Sequence, residues 1–352
     1  MIEPQNSSFT DAIRFATDHE VAWSRDTTGT WGVHQDDLAP YNRLFGPVHP
    51  RGGVSGVIAQ HGKVLATFGQ PDRADLTFSV AKAYLALLAG LAFDQGWLKP
   101  DQPISEILPG IGFDDQPNRA VTWRHLLQQT SEWTGECFGI PDQVDHYRTL
   151  AFTPPVTNKK GTKRPLQQPG SYWEYNDVRI NQLSLALLHL FGKPLPEVFK
   201  SFIADPCGLS DQWQWVGYDQ AWVDIDGQRM PSVPGGSHWG GGVSISANDQ
   251  HKLTELLLNE GLVNGDRLLS SQWIRQMRAP CPLASFYGYL IWLNHQQQIF
   301  KSVSASAFFG MGAGGHFSVV DPELRLVVIV RWLDSSQADE FLRRVVKAIS
   351  HS

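Results

Sequence analysis

Ser79 and Lys82 lie three positions apart in the stretch TFSVAKAYLALLAG, Thr77 to Gly90, a spacing that places two side chains within reach on one face of a helix. From Val80 onward this stretch is apolar on nearly every face, which predicts a helix inside a core. A lysine charge left unpaired there would carry a heavy desolvation cost. Two readings fit. In the first, Ser79 is a nucleophile at a helix N-terminus, where free N–H groups and the helix dipole favour developing negative charge. Burial then lowers the Lys82 pKa, so that the amine can help remove the serine proton. In the second, Ser79 caps the helix and Lys82 snorkels to the surface. An S-x-x-K motif by itself arises about once by chance in a chain of this length.

Three further stretches carry candidate chemistry. In QPGSYWEYNDVRI, Gln168 to Ile180, Tyr175 immediately precedes a helix start with Asn176 and Asp177 in capping-type positions. A tyrosine aimed at a Ser-Lys pair can shuttle protons, its phenol made more acidic by the nearby positive charge; it can equally be a packing aromatic. In PGGSHWGGGVSISAND, His238 in a glycine-rich loop is either a pocket residue or a satisfied histidine, and Ser246 to Asn248 read as a turn before the next helix. In FFGMGAGGH, Gly310, Gly312 and Gly315 spell G-x-G-x-x-G, but the run leads into FSVVDP, a strand and a turn. A dinucleotide fingerprint must open a helix, so this is read as a glycine-rich strand that another backbone or a substrate can approach closely.

The elements that must position these residues follow from periodicity. GVSGVIAQHGKVLATFG predicts two strands joined at His61-Gly62. Helical stretches run from Thr122 to Thr130, Asn176 to Gly192 and Leu195 to Gly208. A strand and helix follow near Gly242. Strands are expected at Phe317 to Val320 and Leu324 to Trp332, and an amphipathic helix closes the chain. Strands at both ends with helices between imply an α/β (α+β) architecture, an antiparallel sheet built from both termini and flanked by helices, with a mainly helical insertion. The expected division is 1–95 with 236–352 for the sheet domain and 96–235 for the helical one, the active site lying at their interface.

The 352 residues carry a formal charge of −6 and no basic stripe, which argues against nucleic acid as a partner. The basic cluster TNKKGTKRP, with Lys159, Lys160, Lys163 and Arg164, is read as a solvated loop. The opening MIEPQNSSFTDAIRF lacks the pattern of a signal peptide, no apolar run reaches the roughly 18 residues of a membrane span, and the three cysteines are distant and odd in number. These features lead to the expectation of a cytoplasmic protein with no membrane partner; the oligomeric state is left open. No C-x-x-C or H-E-x-x-H is present, so neither a metal nor a cofactor is expected. The thirteen tryptophans suggest an aromatic-lined pocket or an aromatic core.

Taken in order, these pieces resemble the serine β-lactamase and penicillin-binding-protein superfamily, in particular its class C β-lactamase, esterase and nylon-oligomer (6-aminohexanoate-dimer) hydrolase branch. LTFSVAKAYLALLAG is similar to the nucleophile helix, VTWRHLLQQTSEWTG to T-x-x-H-L-L-x-H-T-S-G, and QPGSYWEYND to P-G-x-x-x-x-Y-x-N. GGGVSISANDQHKL and GAGGHFSVVDPELRLVVIV resemble the closing helix and sheet. The resemblance implies that Ser79 is the acyl-accepting nucleophile, Lys82 its activator and Tyr175 the base that returns the proton to the leaving group. It implies an oxyanion hole from the N–H groups of Ser79 and Ala313, with Asp177, His238 and Gly312 facing the substrate, a small ester or amide. Three positions depart from the pattern. Asp177 stands where the family has Asn, Glu132 ends Gln129-Thr130-Ser131-Glu132 where H-T-S-G ends in Gly, and Gly310-Met311-Gly312 replaces the third motif without its cation. The missing cation weighs against a β-lactamase or D-amino-acid peptidase acting on carboxylated substrates, and it motivates a competing reading as a non-catalytic ligand-binding protein of the same fold.

Overall fold

A computed structural model describes residues 8–28, 31–153 and 155–350; residues 1–7 of the opening segment read above for a leader lie outside them. The largest sheet has six antiparallel strands. In chain order these are β1 (Ser55–Gln60), β2 (Lys63–Phe68), β3 (Trp292–Leu293), β4 (Phe308–Gly312), β5 (His316–Asp321) and β6 (Leu326–Arg331), and in space they run β3-β4-β5-β6-β1-β2. β1 pairs with both β2 and β6, Val57 facing Thr67 on one side and Ile329 on the other. Both ends of the chain therefore build one sheet, as the strand pattern predicts. The expected hairpin turn is present, with His61 at φ 52° beside Gly62.

β5 and β6 are buried at every position, a pattern that requires cover on both faces. One cover contains α1 (Thr10–Asp18) and the closing helix α8 (Ala338–Ile349), whose Phe341, Leu342 and Val345 share a core with Ile58, Phe68, Val328 and Val330. The other contains α2 (Ala81–Asp94) and α6 (Ala247–Leu258), where Leu85, Leu88, Leu253 and Leu256 join Val57, Val327 and Ile329. Each fully buried aliphatic side chain contributes roughly 1.5–3 kcal/mol of transfer free energy, so this three-layer stack is a rigid base for what lies at its edge.

The middle of the chain holds α3 (Trp123–Leu127), α4 (Asp177–Phe191) and α5 (Leu195–Phe199); α7 (Ser271–Met277) precedes β3. α3 is shorter than the periodicity implies. Thr122 caps it in a capping box with His125, but Gln129 takes φ 61° and turns the chain away. The expected run to Gly208 is also broken: α5 widens at Lys200–Ala204 into a π-type turn. α4 matches its signals, with Asn176 accepting the Arg179 N–H at the start and left-handed Gly192 at the end. Ser246 likewise caps α6 through the Asp249 N–H. Among the described residues no helix is long and apolar enough to cross a membrane.

Candidate active site

The turn that carries Ser79 sits where α2 meets β4. Phe78–Val80 form a single 3-10 turn that runs directly into α2. Its first residue, Phe78, has φ 51°, a left-handed backbone that a bulky side chain adopts only when its surroundings hold it there. They do so with rings: Trp23, Trp31, His316 and Trp332 lie with centroids 5.5, 5.7, 5.8 and 6.2 Å from that of Phe78. The Thr77 N–H donates to the Val243 carbonyl at 2.9 Å. Ser79 is thus presented half-buried, at the start of the apolar helix.

Lys82 does not reach solvent. It is 1% exposed, and its Nζ donates to Ser79 Oγ at 2.9 Å and to the Asp177 carboxylate. Burial drives its pKa down; the Asp177 carboxylate pulls it back up, Arg148 pushes it down again, and the net direction is downward. The counter-ion differs from expectation. Asp177, expected to face the substrate, is buried and committed to Lys82, to Arg148 at 2.5 Å and to His238 Nδ1 at 3.0 Å.

Tyr175 precedes the Asn176 cap and packs beside the pair. Lys82 Nζ lies 4.7 Å and the Arg148 guanidinium carbon 5.2 Å from its ring centroid. Its ring stacks on Trp292 at 5.9 Å and meets Tyr287 edge-on at 6.2 Å. Positive charge was expected to acidify this phenol, but the balance runs the other way. Burial and the Asp177 carboxylate raise its pKa, while Arg148 and an interaction with Ser79 pull less strongly in the opposite sense. Tyr175 therefore holds its proton at neutral pH.

Ser79, Tyr175, Met311, Gly312 and Ala313 share the lining of a cleft of about 380 Å³ with Arg148. β4 lies so close to the turn that carries Ser79 that a Cβ on Gly312 would come within 2.2 Å of the Thr77 carbonyl oxygen. The glycine is required by this contact. A Gly312→Ala exchange is expected to push β4 off the turn and slow labelling of Ser79 by a fluorophosphonate probe roughly a hundredfold; labelling rates beside circular dichroism spectra check that the loss is not unfolding.

His238, singled out in the sequence, lines the same cleft, and it belongs to a set of charged residues of which the sequence reading missed Asp37, Asp145 and Arg148. His238 is buried, with Nε2 2.8 Å from Asp37 Oδ2, so both ring nitrogens face carboxylates. Lys160 pairs with Asp37, stands 3.1 Å from Asp145 Oδ1 and 3.4 Å from His238 Nε2. Asp145 accepts the Asp177 N–H at 2.7 Å and faces Arg148 at 3.4 Å. Asp37, Asp145 and His238 bring ligand atoms within 4.8 Å of one another, a spacing that suits a metal ion, but the Lys160 ammonium already supplies a cation there. The basic stretch read as a solvated loop is therefore divided. Lys159 and Lys163 are exposed, whereas Lys160 is drawn into the site and Arg164 is buried against Glu132 and Glu174. Nothing local marked Asp37, Asp145 and Arg148, or the partners of Lys160 and His238, because those partners lie up to 201 positions away. The tryptophan question is answered similarly. Trp31, Trp123, Trp133, Trp239, Trp273, Trp292 and Trp332 are fully buried packing residues, and the aromatics lining the cleft are Tyr147 and Tyr175.

Known proteins share this arrangement of elements. The family model Beta-lactamase matches residues 42–345, and the chain belongs to that family. Protein Rv1367c of Mycobacterium tuberculosis is 25% identical over 290 residues, covering 72% of this chain and 69% of that protein. A Bacillus anthracis structure assigned as a 6-aminohexanoate-dimer hydrolase superposes with a TM-score of 0.62 at 18% identity, covering 95% of this chain and 88% of that one. EstCE1, described as a hydrolase with promiscuous acyltransferase activity, gives 0.60 at 18% identity, covering 84% and 93%. These likenesses show the β-lactamase/transpeptidase-like fold.

Proposed function

We propose that this chain is a serine hydrolase that cleaves a small ester or amide through an acyl-enzyme on Ser79. The observation that carries this reading is the contact between Lys82 Nζ and Ser79 Oγ at 2.9 Å, made by a lysine that is fully buried. As Ser79 Oγ attacks the carbonyl carbon, its proton passes to neutral Lys82. The N–H groups of Ser79 and Ala313 are the assigned oxyanion donors, and one such donor is worth about 2.7–4 kcal/mol in the transition state. Tyr175, protonated and beside Ser79, hands its proton to the leaving group and is recharged from Lys82. Water then releases the acyl group.

β4 carries no cation at Gly310-Met311-Gly312, and the nearby Arg148 and Lys160 are held by carboxylates. This supports simple esters and amides over carboxylated substrates. The direct test is a fluorophosphonate probe followed by intact mass and peptide mapping. One adduct on the peptide containing Ser79 supports the reading; absence of any adduct favours a ligand-binding protein that retains the fold.

The assignment of Tyr175 makes a separate prediction. A Tyr175→Phe protein is expected to lose about 10²–10⁴-fold in amide hydrolysis, where the departing amine must be protonated. It should lose far less on a p-nitrophenyl ester of the same acid, whose leaving group departs as the anion. Parallel kcat/KM measurements on the two substrates check this, and equal losses would remove the proton-donor role.

A further inference from the structure

Buried charges of both signs meet beside Ser79, and Arg148, Lys160 and His238 line the same cleft. Three carboxylates meet there: Asp37, Asp145 and Asp177, each no more than 7% exposed. Arg148 and Lys160 supply two permanent cations against them. The third charge must come from Lys82 or from His238. His238 has Asp177 Oδ2 at 3.0 Å from Nδ1 and Asp37 Oδ2 at 2.8 Å from Nε2. A neutral imidazole carries one N–H and would turn a lone pair either toward Asp177 Oδ2 at 3.0 Å or toward Asp37 Oδ2 at 2.8 Å, with the Lys160 ammonium standing further off at 3.4 Å from Nε2; an imidazolium donates to both carboxylates.

We propose that His238 is a positioning residue which, as an imidazolium, balances the third buried carboxylate and so leaves Lys82 free to stand as a neutral amine beside Ser79. This deepens the proposed hydrolase function and rests on it. Removing the His238 charge would make the carboxylates draw their third cation from Lys82, which then could not accept the serine proton. The groups facing His238 all enter this balance. Asp177 comes from the start of α4, Asp37 and the neighbouring His34 from the segment before β1, and Asp145, Arg148 and Lys160 from the loop after α3. Trp239 closes the remaining side, its ring centroid 4.0 Å from that of the imidazole, and its Nε1 also donates to Asp37 at 2.8 Å. Around Lys82 stand Ser79, the Tyr175 ring, Asp177, Arg148 and, further off, Asp145.

The rate of fluorophosphonate labelling of Ser79 reads the free amine directly. The Oγ–P bond forms, the P–F bond breaks, fluoride departs and the serine proton goes to Lys82. Labelling rates between pH 5 and 10, followed by intact mass on the full-length protein, are expected to rise to a plateau with the deprotonation of Lys82. In His238→Gln the midpoint should move up by about one unit, giving roughly tenfold slower labelling on the acidic limb and near-normal labelling on the plateau. Lys160→Met removes a cation at the more open end of the cluster and should shift the midpoint in the same direction, whatever becomes of His238→Gln folding. The double variant Asp37→Asn/His238→Gln deletes one charge of each sign and should return the midpoint toward that of the unaltered protein, where two merely structural losses would accumulate. Unchanged midpoints in both single variants, or a double variant displaced further than His238→Gln, overturn the inference. If the unaltered protein is not labelled on Ser79 at any pH, the hydrolase reading falls and this inference falls with it.

Discussion

Ser79→Ala is expected to abolish fluorophosphonate labelling and to lower hydrolysis of any accepted ester by about 10⁴-fold or more, since the residual rate comes only from binding and oxyanion stabilisation. The size of the effect follows from geometry. Ser79 Oγ is held 2.9 Å from the Lys82 amine and opens onto the cleft bordered by Met311, Gly312 and Ala313. The exchange should leave the fold intact. Asp177 keeps Lys82, Arg148 and His238 around it, so no buried charge is stranded, and Phe78 keeps its surrounding rings. Thermal denaturation curves close to those of the unaltered protein would establish that the loss is chemical. Labelling that persists in the variant would place the nucleophile elsewhere.

The largest loss of stability is expected from Glu132→Ala. This glutamate departs from the resembled motif, and the structure shows what it does there. Fully buried, it accepts from Arg164 at 2.7 and 2.5 Å, from Arg179 at 3.1 Å and from the Gln167 N–H at 2.7 Å. Arg164 continues to Glu174 at 2.6 Å, and Arg179 to Asp142 at 3.2 Å. The network clamps the loop after α3 to the start of α4, and hence fixes Tyr175 and Asp177. Removing one partner of a buried pair costs about 3–5 kcal/mol, because the charges left behind are unpaired. Burial raises the Glu132 pKa, the Arg164 hydrogen bond and Arg179 lower it, and the net direction is down from 4.5. A depressed carboxylate contributes stability that is present above the unfolded pKa and lost as pH falls through the folded value. The gap between the two proteins in urea midpoint should therefore be full at pH 7 and shrink as pH falls below about 4.5. Lys200→Ala, which removes an exposed pair to Asp205, should leave the midpoint unchanged.

Much of the site was legible because it is local or carried by spacing. Ser79 and Lys82 share one helix turn, the periodic runs define α4, α6 and α8, apolar runs bounded by turn residues mark β1, β2, β5 and β6, and the glycine-rich run marks β4, whereas the two-residue β3 was not read from the sequence. The helix ends that were misjudged, at Gln129 and after Phe199, lie where tertiary contacts override periodicity. The Glu174 N–H donates to the Gln129 carbonyl at 3.0 Å, and Phe199 packs edge-on against Trp213 and Trp215.

Charge pairing is the part that only the tertiary structure decided. By itself the sequence determined an apolar helix carrying a lysine that could not remain unpaired, because burial of a bare ammonium is too costly to leave uncompensated. It did not say which anion would answer. Asp177 lies 95 positions from Lys82, and Asp37 lies 123 from Lys160 and 201 from His238. Hydrophobic burial follows a period that is read along the chain. Coulomb attraction in a buried site depends on distance in space and on local polarity, neither of which has a period. For that reason the family, the sheet and the proximity of Ser79 to Lys82 were readable from residue order, whereas the charges around Lys82 are set by residues that meet only once the chain has folded.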